Sequence, residues 1–227
     1  MEQNRKSSIK SAFASDGPLY RRINSLRLAL TTPGLQKVFS GIYLNNSWAD
    51  DESVSGRGST FARTEAIRTE LPALLKSIGA NSLIDAACGD FNWLRHIELN
   101  KTEYIGIDIV PQLIARNRRM HAHKFRSFIT LDITSDALPK ADVILCRDCL
   151  IHLSFEDGLR ALDNFKRSGS TFLLATTHTT VTENVDIDSG AWRNVNLQLP
   201  PYGLPEPQRT IIEDRESGKA LSLWRLK

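Results

Sequence analysis

The stretch Ser82-Leu83-Ile84-Asp85-Ala86-Ala87-Cys88-Gly89-Asp90-Phe91-Asn92-Trp93 decides how the chain is read. It opens as an apolar run with the pattern of a buried strand and then passes abruptly into small residues. A strand that ends in a tight turn of Ala and Gly lets backbone approach a ligand closely, because little side chain stands in the way. Asp85 at the strand end and Asp90 inside the turn make that pocket acidic. Such a pocket disfavours a pyrophosphate and favours a cationic ligand.

Working outward, Glu103 to Ile109 is a second apolar run, and it ends in Asp108, nineteen positions past Gly89. In a Rossmann-like unit an acid about 20 residues beyond the turn sits at the neighbouring strand tip, where it can accept both ribose hydroxyls. Capping the next helix is the other role open to it. Phe125 to Thr130 reads as a third strand, followed by Leu131-Asp132-Ile133, where Asp132 is either a ligand-facing acid or an Asx-turn residue. Ala141 to Arg147 is a fourth strand and Thr171 to His178 a fifth. Ligands of open α/β sheets bind outside the carboxyl ends of the strands, so the residues that leave each strand face the crevice. Asp148 and His152, four apart, fall on one side of a helical turn. A carboxylate beside an imidazole orients it and raises its basicity, as a general base requires. A helix-capping Asp and a buried neutral His are the competing reading. His178, at the end of the fifth strand, is a second candidate base.

Between the strands the apolar spacing predicts helices over Phe61–Ile78, Asn92–Leu99 and Pro111–His123. Ser59 or Thr60 is a candidate cap for the first. A further helix runs to Lys166 from Ser154, which forms a capping box with Asp157. Arg209 to Glu213 and Ala220 to Leu226 form a closing hairpin around Ser217-Gly218.

On these residues the chain resembles the class I S-adenosylmethionine-dependent methyltransferases. The family's first motif is an acid followed by small residues and glycines. Its first glycine is Ala87 here and its third is Phe91, leaving Gly89. The Gly106-Ile107-Asp108 ending and the terminal hairpin are also typical of that family, whereas NAD-binding domains usually lack the hairpin. The resemblance covers residues 61 to 227. It implies an α/β fold, a doubly wound seven-stranded mostly parallel sheet with an antiparallel last strand, preceded by an N-terminal helical extension in residues 1–60. It also implies S-adenosyl-L-methionine as cofactor. Asp85, Ala87, Gly89, Asp90 and Trp93 would shape the turn, Asp108 with Ile109 would hold the ribose, and Asp132 with Ile133 the adenine. Arg147 would stand beside them, and Arg68 would bind the methionine carboxylate.

Composition bounds the rest. A chain of 227 residues, 41% hydrophobic and 24% charged, suits one α/β domain with an extension. A net charge of +3 argues for neither nucleic acid nor an anionic membrane surface. Cys88, Cys146 and Cys149 are odd in number and sit in strand-like contexts, which reads as buried reduced thiols in a cytoplasmic protein. No second Cys or His pair supports a metal site, and none is assigned; a divalent ion shared by Asp148, His152 and the acids of 186–188 is the one arrangement conceivable. No run approaches the length of a membrane span.

Residues 1–17 read as a frayed tail, Pro18–Leu30 as an amphipathic helix and Leu35–Tyr43 as a second apolar segment, a lid or a homodimer contact. Trp48–Thr60 is a polar, glycine-bearing loop of functional make-up. Thr179–Pro207 lacks periodicity and is long for a loop. Its Trp192, Arg193, Asn196 and Tyr202, with Trp48, suit a hydroxyl-rich acceptor. The expectation is therefore O-methylation of a small-molecule or glycan hydroxyl by a His/Asp base. A non-catalytic cofactor-binding module and a nicotinamide-dependent oxidoreductase are the alternatives, and the acidic Asp90 and the hairpin weigh against the latter.

Overall fold

The structure, a computed structural model, describes residues 34–226. The expected tail and the helix over 18–30 lie outside the described residues. The chain begins with helix α1 (Gly34–Asn45), passes through the 48–64 loop with two short 3₁₀ turns, and enters α2 (Glu65–Ser77). Then come β1 (Ser82–Ala86), β2 (Glu103–Asp108), α3 (Pro111–His121), β3 (Arg126–Thr130), β4 (Val143–Cys146), α4 (Phe155–Arg167), β5 (Phe172–His178), β6 (Arg209–Asp214) and β7 (Lys219–Arg225).

The seven strands form one sheet in the order β3-β2-β1-β4-β5-β7-β6. The first five are parallel; β7 runs antiparallel to β5, and β6 antiparallel to β7. The order reverses at β1, which lies between β2 and β4. That reversal opens a crevice at the carboxyl ends of the strands.

Successive strand residues point to opposite faces, so the sheet has two cores. Leu83, Tyr104, Val143, Leu145, Leu221 and Leu223 face Ile67, Leu71 and Leu75 of α2. Ile84, Ala86, Ile144, Cys146 and Trp224 face Ala161, Leu162 and Phe165 of α4. Val195, Leu197 and Tyr202 complete the second core, so the aperiodic 179–207 segment is fixed by burial on the α4 side.

Three local expectations change. The 61–78 helix starts only at Glu65, and its N-cap residue Thr64 makes no side-chain cap bond; Thr60 Oγ1 instead accepts from the Arg63 N–H within the preceding 3₁₀ turn. The expected 92–99 helix shrinks to one 3₁₀ turn, Leu94–His96, with Trp93, Leu94, Ile97 and Leu99 buried and Arg95, His96 and Glu98 exposed. Asp148 and His152 do not share a helical turn, since Asp148 has φ 51° and only Leu150–His152 is 3₁₀. Half of the expected capping box forms: Ser154 Oγ accepts from the Asp157 N–H at 3.2 Å, while the Ser154 N–H donates to Ser189 Oγ rather than to the Asp157 carboxylate.

Candidate active site

A cleft enclosing about 1030 Å³ of empty space, its open mouth included, lies at the carboxyl ends of β1 to β4. Asp85, Ala87, Gly89, Trp93, Asp108, Ile109, Asp132, Ile133 and Arg147 all line it, as do Trp48, Asp148 and His152. The three strand-tip acids thus converge on one space. Ala87 and Phe91, at the positions where glycine was expected, keep left-handed backbone at φ 52° and 59°. That conformation costs a residue with a side chain roughly 1–2 kcal/mol. The bend therefore survives without its glycines, and the buried Phe91 ring is held among Tyr104 and Phe128.

Burial sets the charge of the acids. Asp85 accepts a hydrogen bond from the Tyr104 hydroxyl at 2.8 Å, yet desolvation dominates and raises its pKa to about 7. Asp108 accepts from the Gly89 N–H at 3.0 Å and the Val110 N–H at 2.9 Å, and burial raises it to about 6. A cationic ligand, or hydroxyls donated to Asp108, would stabilise the ionised forms. A sulfonium nucleoside offers both, so the donor set fits S-adenosylmethionine. Asp132 Oδ1 accepts from Thr134 N–H and Oγ1 at 2.8 and 2.7 Å. It therefore closes an Asx-turn while lining the cleft.

Asp90 does not line the cleft. Its carboxylate accepts from Ser53 Oγ at 2.9 and 3.0 Å, from the Val54 N–H at 3.1 Å and from Ser55 Oγ at 3.1 Å. The acid of the turn is a latch for the 48–60 loop. Gly89 makes room for it, because a Cβ there would lie 2.1 Å from Ser55 Oγ. Asn92 Nδ2 donates to Ser59 O and to Glu52 Oε1, and an Arg147 N–H donates to Gly58 O. The loop is stapled across the first motif.

At the end of β4, Arg147, Asp148, Glu213 and Lys219 form one ion-pair network. Lys219 Nζ is 2.6 Å from Asp148 Oδ2, and Arg147 is 3.2 Å from Asp148 and 2.6 Å from Glu213. Burial opposes ionisation of Asp148, but Arg147 and Lys219 outweigh it and hold the carboxyl well below the usual range. Asp148 is a permanent anion. The hydrogen bond orienting His152 runs elsewhere, from Nδ1 to the Ala191 carbonyl at 2.8 Å. A carbonyl only accepts, so Nδ1 carries the proton and the lone pair of the neutral ring is on Nε2. Burial lowers the pKa of His152, and the Trp48 ring lies over it at 4.8 Å.

The remaining expected residues sit elsewhere. Arg68 is outside the cleft, its guanidinium 3.4 Å over the Phe61 ring and bonded to Phe61 O. His178 is buried, with Nδ1 accepting from the Val195 N–H. Arg193 donates to Leu150 O and the Tyr202 hydroxyl, Asn196 donates to Val181 O, and Tyr202 is buried beside Gly158. Trp192 is exposed. These four residues of the 179–207 segment do not line the cleft; three of them fasten the segment to the α4 corner, helped by Asp186, which accepts from the Phe155 N–H.

Sequence reasoning missed Lys219, Glu213, and Leu35, Phe39 and Tyr43 of α1, which line the cleft at helical spacing. The segment reads in sequence as a lid or a homodimer contact, and its i, i+4, i+8 stripe is not singled out there as cleft-facing. Among the described residues no cluster of His, Cys, Asp and Glu could hold a metal ion. Nor is any described helix long and apolar enough to cross a membrane. All three cysteines are free thiols; Cys149 is half-buried and, with Cys88, lines the cleft.

Residues 84–168 match the family model described as a methyltransferase domain. No curated protein sequence matches the chain. Among solved structures it is similar to magnesium protoporphyrin IX methyltransferase (ChlM) from Synechocystis PCC 6803 with bound SAM. That likeness has 12% identity, covers 87% of this chain and 99% of that chain, and has a TM-score of 0.63. It is also similar to the pyocyanin biosynthetic protein PhzM, with 16% identity, 72% of this chain, 55% of that chain and a TM-score of 0.55. The chain spans 66% of the methyltransferase domain of bacterial CtHen1, with 17% identity, 51% of this chain and a TM-score of 0.46. At these identities structural likeness speaks for the fold.

Proposed function

We propose that the chain is a class I S-adenosylmethionine-dependent methyltransferase that methylates a hydroxyl of a small-molecule or sugar acceptor, with His152 as general base; the match of residues 84–168 to a methyltransferase domain supports the reading. One observation carries the choice of base: the Nδ1 to Ala191 bond leaves the imidazole lone pair on Nε2, in a residue that lines the same cleft as the three strand-tip acids. Asp148 was expected to orient that ring. Its engagement by Lys219 and Arg147 supports a different part, a fixed negative charge that favours the imidazolium once formed.

The cofactor supplies an electrophilic methyl group on a sulfonium. The chain supplies alignment and exclusion of water. Asp108 accepts ribose hydroxyls, Asp132 and Ile133 face the adenine, and the Ala87–Gly89 bend lets the backbone pass close. His152 Nε2 takes the acceptor's proton as the new bond forms. Residues 34–60 act as a lid on a catalytic unit that starts at 61, a division supported by the cleft-facing stripe of α1 and by the Asp90 latch.

A positioned base contributes typically ~10²–10⁴ in rate. His152→Ala therefore lowers methyl transfer at least ~10²-fold with cofactor affinity unchanged. Loss of cofactor binding in that variant, or undiminished turnover, refutes the role.

A further inference from the structure

We propose that the acceptor is a planar aromatic hydroxyl, a phenol, bound between the aromatic face of α1 and the Trp48–His152 stack. This deepens the methyltransferase reading and rests on it.

The argument starts from the direction of α1 along the cleft. Leu35 borders the same surface as Thr130 and Asp132 at the β3 end, and Gln36 Nε2 donates to Ile109 O at the β2 end. The first turn of α1 therefore lies beside the nucleoside half. Phe39 and Tyr43 come one and two turns later and also line the cleft. The stripe leads towards Trp48, whose ring lies on His152 beyond β4. The half of the cleft that holds the candidate base thus carries flat rings, beside the ion-paired Arg147 and Asp148.

A sugar needs hydrogen-bonding groups with capacity to spare. The segment best supplied with them spends them on its own scaffold. Arg193 bonds to Leu150 O and Tyr202, Asn196 to Val181 O, and Asn184 to the carbonyls of Asn196 and Pro200. Flat apolar surface with one well-placed polar group is the arrangement that binds planar rings.

The base agrees. His152 is oriented by a neutral carbonyl rather than a carboxylate. Such an imidazole matches a phenolic proton, whose ordinary pKa is about 10, far better than an aliphatic alcohol. In the step, a phenolic oxygen lone pair forms the bond to the methyl carbon. The carbon–sulfur bond breaks, and its electron pair neutralises the sulfonium to a thioether. The phenolic proton passes to His152 Nε2 and then to water.

The test is calorimetric titration of 2-naphthol and of methyl glucoside into the full chain saturated with S-adenosylhomocysteine. The proposal predicts that 2-naphthol binds at least ten-fold tighter than the glycoside. Trp48→Ala should weaken 2-naphthol at least ten-fold, Trp48→Phe should restore it, and S-adenosylhomocysteine affinity should stay within two-fold in both. Glycoside binding equal to or tighter than that of 2-naphthol, or 2-naphthol binding indifferent to Trp48, overturns the proposal. Failure of S-adenosylhomocysteine itself to bind overturns instead the reading on which the proposal rests.

Discussion

The Lys219 ammonium stands 2.6 Å from Asp148 Oδ2 and 3.3 Å from Glu213 Oε2, joining the first residue of β7 to the tip of β4 and the end of β6. The hairpin that closes the fold therefore also fixes an anion on the wall of the cleft. Removing one partner of a buried ionic group leaves the others uncompensated. Lys219→Ala is predicted to cost about 3 kcal/mol of stability, read as a lower urea midpoint. The double variant Lys219→Met with Asp148→Asn should recover part of that loss.

The acids of β1 and β2 give the ligand-free protein a pH-dependent stability. Asp85 and Asp108 have folded pKa values of about 7 and about 6, above the ordinary value of about 3.9 in an unfolded chain. The native state holds protons that the unfolded state has released, so stability is full below about pH 4 as far as these groups are concerned. It falls as pH rises from about 4 up to the folded values, by up to about 1.4 kcal/mol per pH unit per group, and levels off once pH has passed about 6 for Asp108 and about 7 for Asp85. Thermal melts from pH 5 to 8 without ligand should show this decline, and Asp85→Asn should flatten it. A cationic ligand reverses the preference, so cofactor affinity should rise over the same range.

The Asp90 latch has its own signature. Asp90→Ala removes the acceptor for Ser53, Val54 and Ser55, and Gly89→Ala drives a Cβ onto Ser55 Oγ. Both variants should free the 48–60 loop for proteolytic cleavage and weaken cofactor binding at least ten-fold. Far-ultraviolet circular dichroism should stay unchanged, because the sheet is not involved.

For His152, burial places the pKa below its ordinary 6.5. On the proposed mechanism the neutral ring is the base, so the rate should rise with pH and level off with a midpoint under 6.5. That acidic limb should vanish in His152→Gln. A limb that persists in the variant belongs to another group.

Much of this arrangement was legible in the chain. Each parallel strand announced itself as a short apolar run, and the tips at Asp85, Asp108 and Asp132 fell into one cleft because the sheet order places β1 between β2 and β4. What periodicity could not reveal was competition for side chains. Asp90, Arg193, Asn196 and Tyr202 are polar residues in loops, and sequence alone does not say whether such groups face a ligand or their own backbone. Here they face the backbone and their neighbours. Lys219 and Glu213 were hidden for the opposite reason: only the antiparallel register of β5, β6 and β7 carries them to the end of β4.

The most direct measurement is calorimetric titration of S-adenosylmethionine into the wild-type chain and into Asp108→Asn. The account predicts one-to-one binding to the wild type, weakened at least ten-fold by the substitution, since the amide cannot accept two ribose hydroxyls as the carboxylate does. No heat of binding with the wild type, or equal affinity in both proteins, would contradict the assignment of the cleft.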